Sequence, residues 1–97
     1  QQTKDTSREV VGSWLDERPF VGNRITIFHK NGKLFMENKY KDGSSGIMEL
    51  VEMKSPLGRR FDKIGFSTFE DHWILSSDGN LQLYDNEGLI TTAKKIE

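Results

Sequence analysis

The side chains that could perform chemistry in this chain are few and scattered. His29 and His72 are the only two histidines, whereas a zinc ion takes three or four ligands in close geometry. A carboxylate such as Glu70 or Asp71 could complete such a site only if the fold brought it to both histidines. Polar residues at strand ends are the simpler interpretation, so we expect no metal and no cofactor.

Ser67, Asp71 and His72 include the residue types of a hydrolytic triad. Neighbouring residues of an extended strand point to opposite faces, however, so Asp71 and His72 cannot easily pair. The Gly-x-Ser-x-Gly motif of a nucleophile elbow does not occur, and a chain with no cysteine has no thiolate nucleophile. We therefore expect no catalytic residues and a protein that is not an enzyme.

Two polar loops are better suited to binding a partner than the scattered residues above are to catalysis. Residues 42–46 lack the Gly-Lys-Ser/Thr ending and the following helix of a phosphate-binding loop, but a mobile polar loop at a rim is a common recognition element. A second loop carries a basic cluster near residues 54–63 that could meet an anionic group, although neighbouring carboxylates balance it. The loop residues expected to contact a partner are Asp42, Ser44, Ser45, Arg59 and Arg60.

Length and composition exclude several classes of protein. A chain of 97 residues forms one domain. Fourteen basic and fifteen acidic side chains leave a net charge of −1, which gives no general attraction to nucleic acid or to an anionic membrane. No apolar run approaches the roughly 18 residues that a membrane-spanning helix needs. We therefore expect neither a nucleic-acid partner nor a membrane span.

The elements that must position these residues are predicted by turn sequences at short, regular intervals. Asn31-Gly32, Asp42-Gly43 and Asp78-Gly79 are examples, and the runs between them are rich in β-branched and aromatic residues. This rhythm predicts an all-β fold of about eight antiparallel strands in an up-and-down meander, closed or partly open as a small barrel. An open coiled sheet or a two-layer sandwich is the alternative. The predicted strands are residues 9–16, 24–29, 34–41, 47–54, 61–69, 72–76, 81–84 and 89–94.

The first element is ambiguous. Val10, Val11 and Trp14 are spaced as one face of a helix. Gly12 weakens a helix, however, and β-branched neighbours favour a strand, so a strand is preferred. Residues 1–8 are polar and unpatterned and are expected to be a flexible segment before a single barrel domain of residues 9–97. Either processing of a bacterial lipoprotein, with a lipid anchor upstream of residue 1, or an arbitrary boundary would explain the start at Gln1.

Val11-Gly12-Ser13-Trp14 resembles the Gly-x-Trp opening of lipocalins and lipocalin-like (calycin-type) bacterial domains. Residues 23–27 and 31–35 are similar to the second and third strands of such domains. In that family the Trp packs across the closed end of the barrel under a basic residue of the last strand, a place that only Lys94 or Lys95 could take here. The chain is shorter than a ligand-carrying lipocalin and lacks its C-terminal helix, so the resemblance implies architecture more than ligand transport.

These observations together predict a non-enzymatic, lipocalin-like binding domain outside the cytoplasm, periplasmic or secreted. It would take a protein partner or a small apolar ligand, and the interior residues suited to a ligand are Trp14, Tyr40, Phe66 and Trp73. Side chains can fill so small a barrel, which would favour a protein partner. We expect loops 42–46 and 55–60 to rim one end together. The alternatives are an assembly subunit that docks through a sheet edge or loops, and a lysozyme-inhibitor-like barrel that inserts a loop into an enzyme.

Overall fold

Eight antiparallel strands follow one another around a closed barrel, and the predicted meander is confirmed. The computed structural model describes residues 8–18, 22–64, 72–85 and 87–96. The strands are β1 (Glu9–Leu15), β2 (Asn23–Lys30), β3 (Lys33–Tyr40), β4 (Ser45–Met53), β5 (Arg59–Lys63), β6 (His72–Leu75), β7 (Leu81–Asp85) and β8 (Gly88–Lys95). Each strand pairs with the next, and β1 also pairs with β8, which closes the ring.

The strand interpretation of the first element is confirmed, and Gly12 lies at an irregularity of this strand. The pairing of β1 with β2 shifts register between Val10 and Gly12, the irregularity of a β-bulge. The predicted turn at Asn31-Gly32 is also present, with φ angles of 55° and 78°. Both central residues of a type I′ turn need positive φ, which explains this residue pair.

Two expectations about where strands begin need correction. β4 begins at Ser45 instead of residue 47, so Ser45 belongs to a strand and not to the preceding loop. β5 begins at Arg59, so Arg59 and Arg60 also lie in a strand. The predicted extension of this strand through Gly65 to residue 69 lies outside the described residues, as do residues 1–7 of the expected flexible segment.

In a meander, successive connections lie at opposite ends of the barrel. The connections β2–β3, β4–β5 and β6–β7 are at one end, here called the first end. The connections β1–β2, β3–β4, β5–β6 and β7–β8 are at the other, the second end. Loops 42–46 and 55–60 therefore lie at opposite ends, and the expectation that they rim one end together is wrong, because a single strand, β4, separates them.

The interior is packed with apolar side chains from all eight strands. Alternate residues of each strand face inward, among them Leu34 and Met36 of β3. One member from each strand in order is Trp14, Ile27, Met36, Leu50, Phe61, Trp73, Leu81 and Ala93, all of them at most 9% exposed. Burying each large apolar side chain stabilises the fold by about 1.5–3 kcal/mol, so this cluster is the main source of stability.

Candidate binding surfaces

The buried Trp14 side chain of β1 reaches the β6–β7 turn at the first end. Its indole Nε1 donates a hydrogen bond to the carbonyl oxygen of Gly79 in the β6–β7 turn, at 2.7 Å. A Cβ atom on Gly12 would lie 2.8 Å from the indole ring, so the glycine of the Gly-x-Trp pattern makes room for the tryptophan two residues later. Lys95 is in register with Trp14, whereas Lys94 is in register with Leu15 on the other face. Of the two lysines, Lys95 is therefore the one on the tryptophan's face.

The four residues expected to bind an interior ligand do not share one environment. Trp14 and Trp73 are buried in the same core cluster. Tyr40 is 45% exposed at the second end, where it is in register with Asn23. Phe66 lies outside the described residues. The two tryptophans therefore pack against other core side chains, while Tyr40, on the same face of β3 as Met36, is partly exposed at the end of the strand.

A partly buried ion pair supports the second end. The Asp16 carboxylate is 1% exposed and accepts hydrogen bonds from Nε and Nη2 of Arg18, at 3.1 and 2.7 Å. Burial raises the pKa of Asp16, but the hydrogen bonds and charge of Arg18 outweigh it, so the pKa is lowered. The backbone is tight here, because a Cβ on Gly22 would lie 2.3 Å from the Asp16 carbonyl oxygen.

The β3–β4 loop forms a self-contained turn. Asp42 accepts hydrogen bonds from the amide and the hydroxyl of Ser44, at 2.9 and 2.6 Å. These two donors lower the pKa of the exposed Asp42 carboxyl. Asp42, Ser44 and Ser45 are all exposed, which suits contact with a partner, but the Asp42 side chain is already engaged within its own loop.

The two arginines expected to receive an anion each hold a carboxylate. Nε and Nη2 of Arg59 donate to Glu52, at 2.9 and 3.0 Å, and Nε of Arg60 donates to Asp62 at 2.7 Å. Hydrogen bonding to Arg59 lowers the pKa of Glu52 despite its partial burial. Glu52 and Arg59 line an open depression of about 560 Å³ at the first end. Because the charge of each arginine is matched there, an incoming anion would have to displace a carboxylate.

A row of apolar side chains lies on the outside of the barrel. Ile25 and Ile27 face the interior, so Phe28 faces outward, and it is in register with Val10 on β1 and with Phe35 on β3. The two phenylalanine rings are stacked with centroids 5.6 Å apart. Ile47 on β4 borders this row and is 55% exposed. Sequence patterning indicated this row only through the consecutive apolar residues of β2 and β3, which place apolar groups on both faces.

Arg8 lies over this row. Its guanidinium carbon is 4.2 Å from the centre of the Phe28 ring, a cation–π distance, and its Nη1 donates to Glu37 at 2.8 Å. Phe28 is only 2% exposed although it points away from the core. Arg8, Phe28, Lys30, Phe35 and Ile47 line a cavity of about 140 Å³. The outer surface thus has a small apolar slot with cationic groups at its edge.

The histidines are far from any metal-like arrangement. His29 is in register with Glu9 and Leu34 at the first end, and the ring of His72 stacks on Tyr84, with centroids 5.0 Å apart. Within the described part of the chain, no three His, Cys, Asp or Glu residues are grouped so that they could hold a metal ion. The same part contains no helix with the length and hydrophobicity of a membrane span.

Fold and surface define a small, closed, eight-stranded up-and-down barrel, which fits lipocalin-like barrels in general. Comparison of the chain with protein-family models, with curated proteins and with solved structures found no match. The resemblance at the Gly-x-Trp opening is therefore supported at the level of architecture, and function has to be argued from the surfaces themselves.

Proposed function

We propose that this barrel is a non-enzymatic binding domain that recognises a protein partner through its surface. The observation that carries the proposal is the occupied interior. Trp14, Ile27, Met36 and Phe61 are completely buried there, together with Leu81 and Ala93. An eight-stranded barrel is just wide enough either to be filled by side chains or to hold one small ligand, and the buried side chains that all eight strands contribute to one core support the filled alternative.

The polar groups support binding over catalysis. Asp16, Glu52 and Asp62 each accept hydrogen bonds from an arginine, so their charges are matched within the fold. A general acid or base needs a pKa near the working pH, whereas the pKa of Asp16 and that of Glu52 are both lowered. A location outside the cytoplasm is part of the proposal and rests on the resemblance to lipocalin-like domains.

The first test asks whether the interior accepts an apolar ligand. The fluorescent probe N-phenyl-1-naphthylamine is titrated into the wild-type protein and into Leu50→Ala, which opens a cavity where a side chain 2% exposed is removed. We expect stronger probe binding to the variant than to the wild type. Saturable one-to-one binding to the wild type, with quenching of tryptophan fluorescence, would overturn the proposal in favour of a small apolar ligand.

The second test asks for recognition of protein. A random peptide library displayed on phage is selected on the immobilised folded domain, with the urea-unfolded domain for counter-selection. We expect peptides that bind the folded form only, and that are confirmed as synthetic peptides in solution. A selection that enriches no such peptide would contradict surface recognition of protein.

A further inference from the structure

We infer that the outer face of β1–β4 is the docking surface, and that its occupant is a protein segment carrying one apolar side chain among acidic residues. This inference rests on the proposed function and specifies where and what the domain binds. The outer face is defined by the outward positions of these four strands, with Phe28 and Phe35 at its centre.

The charge of this face differs from that of the chain as a whole. The chain has 14 basic and 15 acidic side chains. The outward positions of β2–β4, together with Arg8 beside them, carry five basic residues and two acidic ones. These residues are Arg8, Arg24, Lys30, Lys33, Lys39, Glu37 and Glu49. An acidic partner would therefore be attracted to this face at long range and oriented by it.

The apolar part has the size of a single side chain. The slot of about 140 Å³ between Phe28, Phe35 and Ile47 is well below the roughly 300–1,000 Å³ of small-molecule sites. Two stacked rings form its floor, and exposed Val10 and Ile47 extend the apolar surface at either side. Buried apolar anchors in such pockets supply most of the affinity of protein interfaces, so an aliphatic or aromatic side chain fits the slot.

Two features favour a protein over nucleic acid or anionic lipid. The carboxylates of Glu37 and Glu49 lie on the same face, where they would repel a dense row of phosphates. The Phe28 ring is 2% exposed beneath Arg8, so the partly exposed Phe35 and the exposed Ile47 are left to contact a partner. These two suit an inserted side chain better than the stacked bases that single-stranded nucleic-acid binders hold. A protein segment can avoid both carboxylates while its own acidic residues reach Lys30 and Lys33.

The test uses amide chemical shifts of the full chain during separate titrations with four probes. The first is a peptide with one phenylalanine between pairs of acidic residues, and the second replaces the acidic residues with lysines. The third is a thymidine oligonucleotide, and the fourth is phosphatidylglycerol vesicles. We expect the acidic peptide alone to shift the amides of Val10, Phe28, Phe35 and Ile47.

Variants separate this surface from the rest of the barrel. Lys30→Glu with Lys33→Glu should weaken acidic-peptide binding about tenfold, and Ile47→Ser, at a side chain 55% exposed, should weaken it without unfolding the protein. Lys63→Glu is the matched control, because Lys63 is in register with core residue Leu50 and so belongs to the other face of the sheet.

Each outcome has one meaning. Shifts confined to the outer face and lost in the double variant support the inference. Shifts elsewhere, equal binding of the basic peptide, no binding of the acidic peptide, or stronger binding of the oligonucleotide or vesicles would overturn it. If the acidic peptide does not bind the outer face but the phage selection still enriches peptides on the folded domain, the proposed function stands and the docking surface lies elsewhere. If the phage selection enriches no peptide, the proposed function itself is refuted.

Discussion

Removing Arg18 should destabilise the barrel more than removing any exposed arginine. The Arg18→Ala variant leaves the Asp16 carboxylate, 1% exposed, without the guanidinium that pairs with it. Loss of one partner of a buried ion pair costs about 3–5 kcal/mol. Because the Arg18 side chain is 36% exposed, water reaches part of the pair, and we expect a loss of about 2–3 kcal/mol at pH 7.

The loss should also depend on pH, with a definite sign. In the wild type the pKa of Asp16 is lowered, so its contribution is present above the unfolded pKa of about 3.9 and is lost as the pH falls through the folded pKa. In Arg18→Ala the guanidinium is lost, and burial of the carboxyl is opposed only by the backbone amide of residue 18 and by the charge of Lys41, so this pKa rises above its wild-type value. Protonating the Asp16 carboxyl in the folded state costs about 1.4 kcal/mol for each pH unit above the unfolded pKa of about 3.9. At pH 5 this cost is about 1.5 kcal/mol, which is therefore the most that the unpaired, buried carboxylate can destabilise the fold at that pH. The variant should therefore recover stability relative to the wild type as the pH falls from 7 to 5.

Urea unfolding at pH 7 and at pH 5, followed by the fluorescence of the two buried tryptophans, measures both effects. Arg59→Ala is the matched control, since its ion pair with Glu52 is exposed by 43% and 41%, and it should lose less than about 1 kcal/mol at either pH. Arg18→Ala in an Asp16→Asn background should lose the pH dependence. Equal losses for the two arginine variants, or a penalty for Arg18→Ala that stays the same at both pH values, would refute the reasoning.

Two further substitutions test the packing of the ends. Gly22→Ala should cost about 2 kcal/mol or more in the free energy of unfolding, since the new Cβ would press on backbone oxygen atoms. Gly46→Ala, which has open space around it, should cost nothing, and equal urea midpoints for the two would contradict this. Trp14→Phe loses both ring volume and the hydrogen bond to Gly79, so thermal unfolding should show a loss of about 2–3 kcal/mol. If Trp14→Phe melts at the wild-type temperature, the hydrogen bond from Trp14 to Gly79 does not contribute to the stability of the barrel.

The order of the strands was predictable because turn chemistry is local. Asn31-Gly32 supplies the two positive φ angles of a tight hairpin, and the alternation in β3 places Leu34 and Met36 inside. Which loops meet in space depends on strand count and direction along the whole meander. Residues 42–46 and 55–60 both contain the serine and glycine of a loop, yet β4 holds them at opposite ends.

The buried carboxylate could not be inferred from local pattern. Asp16 follows the exposed Leu15 and precedes an exposed Glu17, so its neighbours in the sequence suggest a solvated loop. Its burial results from the return of the chain at Gly22 and from Arg18 folding back onto it. The positive charge of Arg18, two residues away, compensates the burial of the Asp16 carboxylate. Because an acidic and a basic residue at this spacing are also common in exposed turns, the spacing does not indicate burial.

The outer apolar row shows how register creates a surface that no single strand contains. Val10, Phe28 and Phe35 are distant in sequence, and they form a row only because β1, β2 and β3 pair with one particular alignment. A shift by one residue would turn Phe28 into the core and Ile27 to the solvent. The same alignment brings Lys30 beside Lys33, so the apolar slot and its cationic edge arise together. The hydrophobic pattern that fills the barrel therefore also determines, through register, what its outer face can recognise.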